Sequence, residues 1–358
     1  MKKDPPHLPP RACRVDTHHR LQSLKWTIFL IFVAFISGTA AALSTVAWLT
    51  PVFIESGSYY PTVRDISSVN TSQPDINFQH QVDQKVIRIY DQTKKVDKAF
   101  YNKNSLLFNA SILSSDGWVL AYYPNYVKGL ENKWEAVDNQ GLYYSVEKVV
   151  QDSVSDLLFI KIVGQGFRIN SFSDWSELGA GHNYWAIGRS GWREVSLDDL
   201  VVTGVAKDYA IWRPQNFHSL WQNTEEGTLL YNSQGAFVGV VDDENLLRPA
   251  WLVEGRLGAL LDSDSISYLG LPWRGYMVAG VEFEGKWKKM TGFYITEAGS
   301  SQTTSTVTYG DVIFKINNSL VDEDFLAAQL YSTPDPLVVS VWRDGKELEI
   351  EVMKERVF

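Results

Sequence analysis

The sequence predicts a mainly β protein held behind a single membrane-spanning helix, with a smaller α+β unit after it. Three observations carry that expectation. An uncharged apolar run lies near the N-terminus, many short strands with turn signals follow, and after Ala250 the pattern changes and leads to a β-rich region closing on an Asp-Gly turn. A length of 358 residues suits two domains plus extras, and a 45% apolar share with 13 Trp, 17 Tyr and 17 Phe fits globular structure.

The apolar run Trp26–Leu49 carries no charge and is about long enough to cross a bilayer core as one helix. Lys2, Lys3, Arg11, Arg14, Arg20 and Lys25 precede it, against Asp4 and Asp16. That bias assigns residues 1–25 to a cytoplasmic tail and everything beyond Thr50 to the far side. Trp26 and Trp48 fall at the two interfaces. A cleaved signal peptide is the alternative, because Ala40-Ala41-Ala42 offers small residues for cleavage; continuation through Val46–Leu49 favours an uncleaved anchor. The single cysteine, Cys13, lies in this tail and excludes an intrachain disulfide; it reads as an idle thiol, with lipidation the alternative. With the tail's excess of positive charge removed from the net −9, the remainder carries about −13, which argues against nucleic-acid binding.

Residues 50–78, rich in Ser, Thr, Pro and Asn, read as a linker. Alternation over Val82–Asp91 predicts the first strand. Ser105–Leu113, the turn Ser114-Ser-Asp-Gly117 and Trp118–Tyr122 predict a hairpin. Further strands are predicted at Lys148–Val150, Leu157–Val163, Tyr184–Ile187, Asp199–Ala206, Thr228–Tyr231 and Phe237–Val241, which together indicate a barrel or sandwich. A helix is predicted within Val253–Tyr268. Beyond it come strands at Gly275–Phe283, Gly292–Glu297 and Tyr309–Asn317, a helix over Asp322–Tyr331, and a hairpin over Leu337–Val352 turning on Asp344-Gly345.

Five landmarks in order resemble the protease domain of the HtrA/DegS family. They are Ser114–Leu120, Asp152–Ile162, Gly181–Gly188, Val201–Val205 and Gly227–Val240. The resemblance implies a trypsin-like double β-barrel over residues 79–269. It puts the triad aspartate at Asp156, the histidine position at Pro124, the serine position at Glu226 and the oxyanion-hole glycine position at Thr224. No histidine occurs between His80 and His182, so no shift of alignment restores one. A serine hydroxyl needs a neighbouring base to take its proton, and proline has no titratable group. A glutamate at 226 opposes the negative charge that the site would have to stabilise. These residues therefore describe a protease fold without its chemistry. The bland readings are that Asp156 caps a turn and Glu226 faces solvent; the sharper one is that both line a pocket for a cation or basic group. His80, His182 and His218 stand isolated, and Trp212, Trp221 and Trp251 read as core or interface aromatics. No metal or cofactor is expected.

Tyr309–Asn317 together with Arg343–Leu348 resemble a PDZ domain of the HtrA type, over residues 270–358. Such a domain adds a peptide as an extra strand and holds its terminal carboxylate in a Gly-rich loop. The resemblance places that loop at Gly275, Tyr276, Met277 and Val278, with Val278 where glycine is common, and the opposite wall at Phe325 and Gln329. A packing module with a closed groove is the alternative.

The function expected is that of an inactive, inner-membrane relative of DegS-like proteases with its N-terminus cytoplasmic and its main domains periplasmic. It would bind polypeptide C-termini or an envelope protein as a scaffold, sensor or regulator in protein quality control. The family implies a homotrimer, with a mixed oligomer including an active paralogue as the alternative. Two other classes stay open: a structural subunit of a membrane complex, and a serine-type endopeptidase with an unusual nucleophile such as Thr228 or Ser233.

Overall fold

In the computed structural model, residues 73–203, 208–263, 265–299 and 307–358 are described. The expected tail, the anchor at 26–49 and most of the linker lie outside the described residues. Among the described residues, no helix is long and apolar enough to cross a membrane.

Order begins earlier than the sequence pattern suggests. Helix α1 (Ile76–Asp83) starts inside the stretch assigned to the linker, where the Asp75 carboxylate accepts the Asn77 N–H at 3.2 Å. The strand expected from Val82 therefore starts only at β1 (Val86–Asp91). Val82 is buried from the helix rather than from a strand, which is why the alternation misled.

β1, β2 (Leu106–Ile112), β3 (Trp118–Tyr122), β4 (Trp134–Val137), β5 (Tyr143–Gln151) and β6 (Leu157–Ile162) close a barrel in the order β1-β2-β3-β6-β5-β4. β3 and β6 read as nearly unbroken apolar runs because both faces are covered. Val119, Ala121, Leu158 and Ile160 fill the barrel, while Trp118, Leu120, Tyr122, Leu157 and Phe159 turn outwards. They meet Ile187, Leu229, Tyr231, Phe237 and Val240 of a second barrel, forming one shared core layer.

That second barrel comprises β7 (Asn183–Gly188), β8 (Gly191–Val202), β10 (Asn216–Leu220), β11 (Leu229–Tyr231), β12 (Phe237–Val241) and β13 (Leu247–Pro249), ordered β10-β8-β7-β11-β12-β13. A bridge between Ser219 and Leu246, with the Leu220 N–H donated to the Asn245 carbonyl at 3.2 Å, joins its two edges. β8 is much longer than the strand expected over Asp199–Ala206, since its polar residues Arg193, Glu194 and Asp198 mask the period; residues 204–207 lie outside the described set.

Helix α2 (Trp251–Ser263) ends before the expected Tyr268 and buries Val253 and Leu260 in the layer between the barrels. Its Arg256 is wholly buried. The guanidinium pairs with the Asp152 carboxylate, which also accepts from Ser155 and, at 2.6 Å, from the Tyr268 hydroxyl. Arg256 lies 3.9 Å over the Tyr268 ring. Burial above all pushes the Tyr268 phenol far up, and the adjacent Asp152 carboxylate adds to it.

A third sheet follows, formed by β15 (Trp273–Phe283), β16 (Lys286–Ala298), β17 (Val312–Ile316), β19 (Leu337–Arg343) and β20 (Lys346–Val352), with β18 (Ser319–Leu320) paired to β17. Arg343 pairs with Lys346, so the hairpin turns on Asp344-Gly345, both at positive φ. Helix α3 (Leu326–Ser332) is shorter than expected, because Asp322–Phe325 form a turn in which Asp322 Oδ1 accepts the N–H groups of Asp324 and Phe325. The outer edge of this sheet is β9 (Tyr209–Ala210), two residues supplied by the connection between β8 and β10. A short pair, β14 (Leu269–Gly270) with β21 (Glu355–Arg356), completes the order.

Candidate functional site

The loop from Trp221 to Thr228, between β10 and β11, carries Thr224 and Glu226. It is fixed where it passes the first barrel. Gly227 has φ +74°, and a Cβ there would lie 2.8 Å from the Tyr122 carbonyl oxygen at the end of β3, so neither the conformation nor the space admits a side chain. Thr224 is buried, and its N–H is donated to Asn245 Oδ1 at 3.0 Å while its hydroxyl is donated to the Gln222 carbonyl at 2.9 Å. That backbone donor is therefore committed within the protein.

Glu225 Oε2 accepts the Arg189 N–H at 2.9 Å, and the Arg189 guanidinium stands 3.9 Å from both the Glu225 and the Glu226 carboxylates. A partly exposed pair at this separation contributes little stability, but it gives Glu226 a cationic partner in place of open solvent. Thr228 is fully buried and donates its hydroxyl to the Glu225 carbonyl at 2.6 Å.

Pro124 is exposed in the turn after β3. Asp156 is exposed as well, at φ +58°, with its N–H donated to the Asp152 carbonyl at 2.8 Å. It lines a hollow of about 460 Å³ with Thr203, Asp208, Tyr209, Arg213 and Arg274, and neither Pro124 nor Glu226 borders that space. Among the described residues, no hydrogen bond or ion pair joins Asp156 to Glu226. Ser233, on the turn between β11 and β12, borders an open hollow with Glu177 and His182, and no hydrogen bond links Ser233 to that histidine. His218 is buried, with Nδ1 3.0 Å from the Asp198 carbonyl. Among the described residues, no group of three His, Cys, Asp or Glu side chains could hold a metal ion.

In the third sheet, Tyr276, Met277 and Val278 are not a loop. They lie within β15, opposite Tyr294, Phe293 and Gly292 of β16. Tyr276 is exposed and its ring meets that of Tyr294 in a tilted contact at 5.3 Å, Met277 packs towards the core under α3, and Val278 packs beside Met290, Val312 and Phe314. The expected opposite wall turns elsewhere. Phe325 packs on Trp175 at 5.7 Å and on His218 at 5.8 Å, towards the second barrel. Gln329 is buried and bonded to its own loop, with Nε2 donating to the Leu320 carbonyl at 3.0 Å and Oε1 accepting the Asp322 N–H at 3.2 Å.

Two features escaped the sequence reading. Arg189 sits in the turn between β7 and β8, remote in sequence from the glutamates it meets, and no local pattern announces that pairing. The segment Asp208–Ile211 joins a sheet formed more than sixty residues later. Its alternation of polar or small residues with Tyr209 and Ile211 was the available signal.

No family model matches the chain, and no curated protein matches it. Among solved structures, the chain is similar to the HtrA-type protease AlgW with tripeptide, at 14% identity and TM-score 0.50, over 78% of this chain and 96% of that one. AlgW with decapeptide gives 14% identity and TM-score 0.49 over 78% and 98%. The serine endoprotease from Yersinia pestis gives 15% and 0.44 over 80% and 99%. At such identities the likeness is one of fold, a mainly β arrangement with barrel-like sheets like those of a trypsin-like domain.

Proposed function

We propose that the chain is a membrane-anchored, non-catalytic relative of HtrA/DegS-type proteases that holds polypeptide segments and acts as a scaffold, sensor or regulator in envelope protein quality control. In this reading residues 26–49 are the anchor, 1–25 the cytoplasmic tail, 50–78 the linker, 79–269 the protease-like domain and 270–358 a PDZ-like domain. The main domains are periplasmic, and the assembly is a homotrimer or a mixed oligomer with an active paralogue.

The observation that carries this reading is the state of the loop at Thr224–Glu226. Acyl transfer needs a hydroxyl, a base to take its proton, and backbone donors free to meet an oxyanion. Here the Thr224 N–H is bonded to Asn245, Glu226 stands beside Arg189 and Pro124 replaces the base. What is left is a folded double barrel and a sheet whose strand β15 runs on from Tyr276 to Phe283 beyond its pairing with β9. An extended peptide can add to such an edge through main-chain hydrogen bonds.

The test is incubation of the full-length chain with an unfolded protein and with a fluorophosphonate probe. Neither turnover nor labelling is expected. Turnover abolished by Thr228→Ala or Ser233→Ala would overturn the reading. Packing of Phe325 against the second barrel favours a second reading, a structural subunit with both domains as docking surfaces. A partner of fixed stoichiometry recovered from solubilised membranes, with no peptide binding, would support it.

A further inference from the structure

The connection between β8 and β10 behaves as a bound ligand of the third sheet. It runs antiparallel to β15, with Tyr209 opposite Gly275 and Ala210 opposite Arg274, and the Ile211 N–H is donated to the Trp273 carbonyl at 3.0 Å. Tyr209 and Ile211 are two apart and so face one side. Ile211 is 1% exposed, in a cluster with Trp273, Phe293, Leu326 and Leu330, and the Tyr209 ring packs on Phe293 at 5.4 Å. Asp208 is received on the strand side: Thr296 Oγ1 donates to its Oδ2 at 2.9 Å, Arg274 Nη2 donates to its carbonyl at 3.0 Å, and Arg274 Nε lies 3.5 Å from its Oδ1.

We infer that this edge of β15 is a binding site for an extended internal segment of a partner polypeptide with the order acidic, aromatic, small, branched aliphatic, and that Asp208–Ile211 is its resident occupant. The inference rests on the polypeptide-holding reading above but changes its ligand. Every group received is a side chain or a mid-chain peptide unit, and the occupant continues through Trp212 onto Tyr268 at 5.1 Å, so the site makes no use of a terminal carboxylate. Exchange is favoured by length. The resident strand pairs over two residues, whereas β15 extends eight residues beyond Gly275, and an incoming peptide can pair along Tyr276–Val278 as well. Its opponent is proximity: a tethered segment competes at an effective concentration on the order of millimolar.

The test uses the full-length chain and a fluorescent peptide with the sequence of residues 206–213, acetylated and amidated at its ends. In a chain carrying Asp208→Asn and Tyr209→Ala, the peptide is expected to bind at least about tenfold more tightly than in the wild type, as removal of an intramolecular competitor demands. Adding Arg274→Ala should abolish that gain, and so should Asp→Asn in the peptide. Hydrogen exchange of β19 reports that the sheet is folded, and loss of protection at Ile211 reports release. Released, folded variants that bind no better than wild type would overturn the inference. Binding only of hydrophobic peptides with free carboxylates would overturn it too, while leaving the polypeptide-holding reading intact. Dimers of the wild type that vanish with Tyr209→Ala would assign the edge to a second copy of the chain instead.

Discussion

Asp152 shows how much a single buried carboxylate can matter here. Among the described residues it is the anion paired with the wholly buried Arg256 guanidinium, and it also takes hydroxyl bonds from Ser155 and Tyr268. Asp152→Ala leaves that cation uncompensated, and a loss of about 3–5 kcal/mol is expected from denaturant unfolding. Combining it with Arg256→Met should return much of the loss, since then no charge is left buried. Tyr209 yields a pH dependence. Burial, with Glu323 nearby, pushes its phenol up to about 12, against about 10 in an unfolded chain. The folded state therefore holds this proton more tightly. Its contribution is complete below about pH 10 and is lost as pH rises from about 10 towards about 12. Absorbance titration of the phenolate should show the displaced ionisation, and Tyr209→Phe should remove it while lessening the fall in stability over that window. Pro124, Thr224 and Glu226 could be singled out from the sequence because they interrupt stretches that otherwise resemble a family motif. Their partners Arg189 and Asn245 could not, because each arrives from a separate turn.

Among the elements, the β15–β16 hairpin depends on the missing side chain at Gly275. Gly275→Ala must move the strand or its neighbour, and about 1–3 kcal/mol of destabilisation is expected in thermal or denaturant melts. Asp75→Ala should fray α1 and cost about 0.5–2 kcal/mol by the same measurement, with protection lost first at Asn77. Hairpins with a turn signal and clean alternation, such as β2–β3 and β19–β20, could be read from sequence directly. β10 and β13 could not, being short and interrupted by His218 and Arg248; the start of α1 was assigned to the linker, and its last two residues, Val82 and Asp83, to the strand, because Val82 fits both periods over so few residues. The segment's own pattern already predicted a strand over Gly275–Phe283; the loop that the resemblance placed at Tyr276–Val278 proved to be part of that strand, paired along β16.

Taken whole, the described molecule is a double barrel to which the third sheet is fastened at several points. Phe325, Ala327 and Ala328 pack with Phe217, Leu246 and Trp251, the Trp175 indole donates to Ser332 Oγ at 3.2 Å, and Ile211 is buried in the far core. Calorimetry is expected to show one cooperative transition for wild type. Phe325→Ala should lower it by about 3–5 kcal/mol and separate a second, lower-melting event belonging to the third sheet. The strand succession that makes the barrels was foreseeable, but this fastening was not, since its contacts bring together residues distant in sequence. The layer formed by Trp118, Leu120, Tyr122, Leu157 and Phe159 has a different consequence. Those side chains serve at once as the outer skin of one lobe and the floor of the other, so neither lobe is a self-sufficient module. A fragment stopping at Ile169 is expected to precipitate alone and to become soluble only when the remaining half is co-expressed with it.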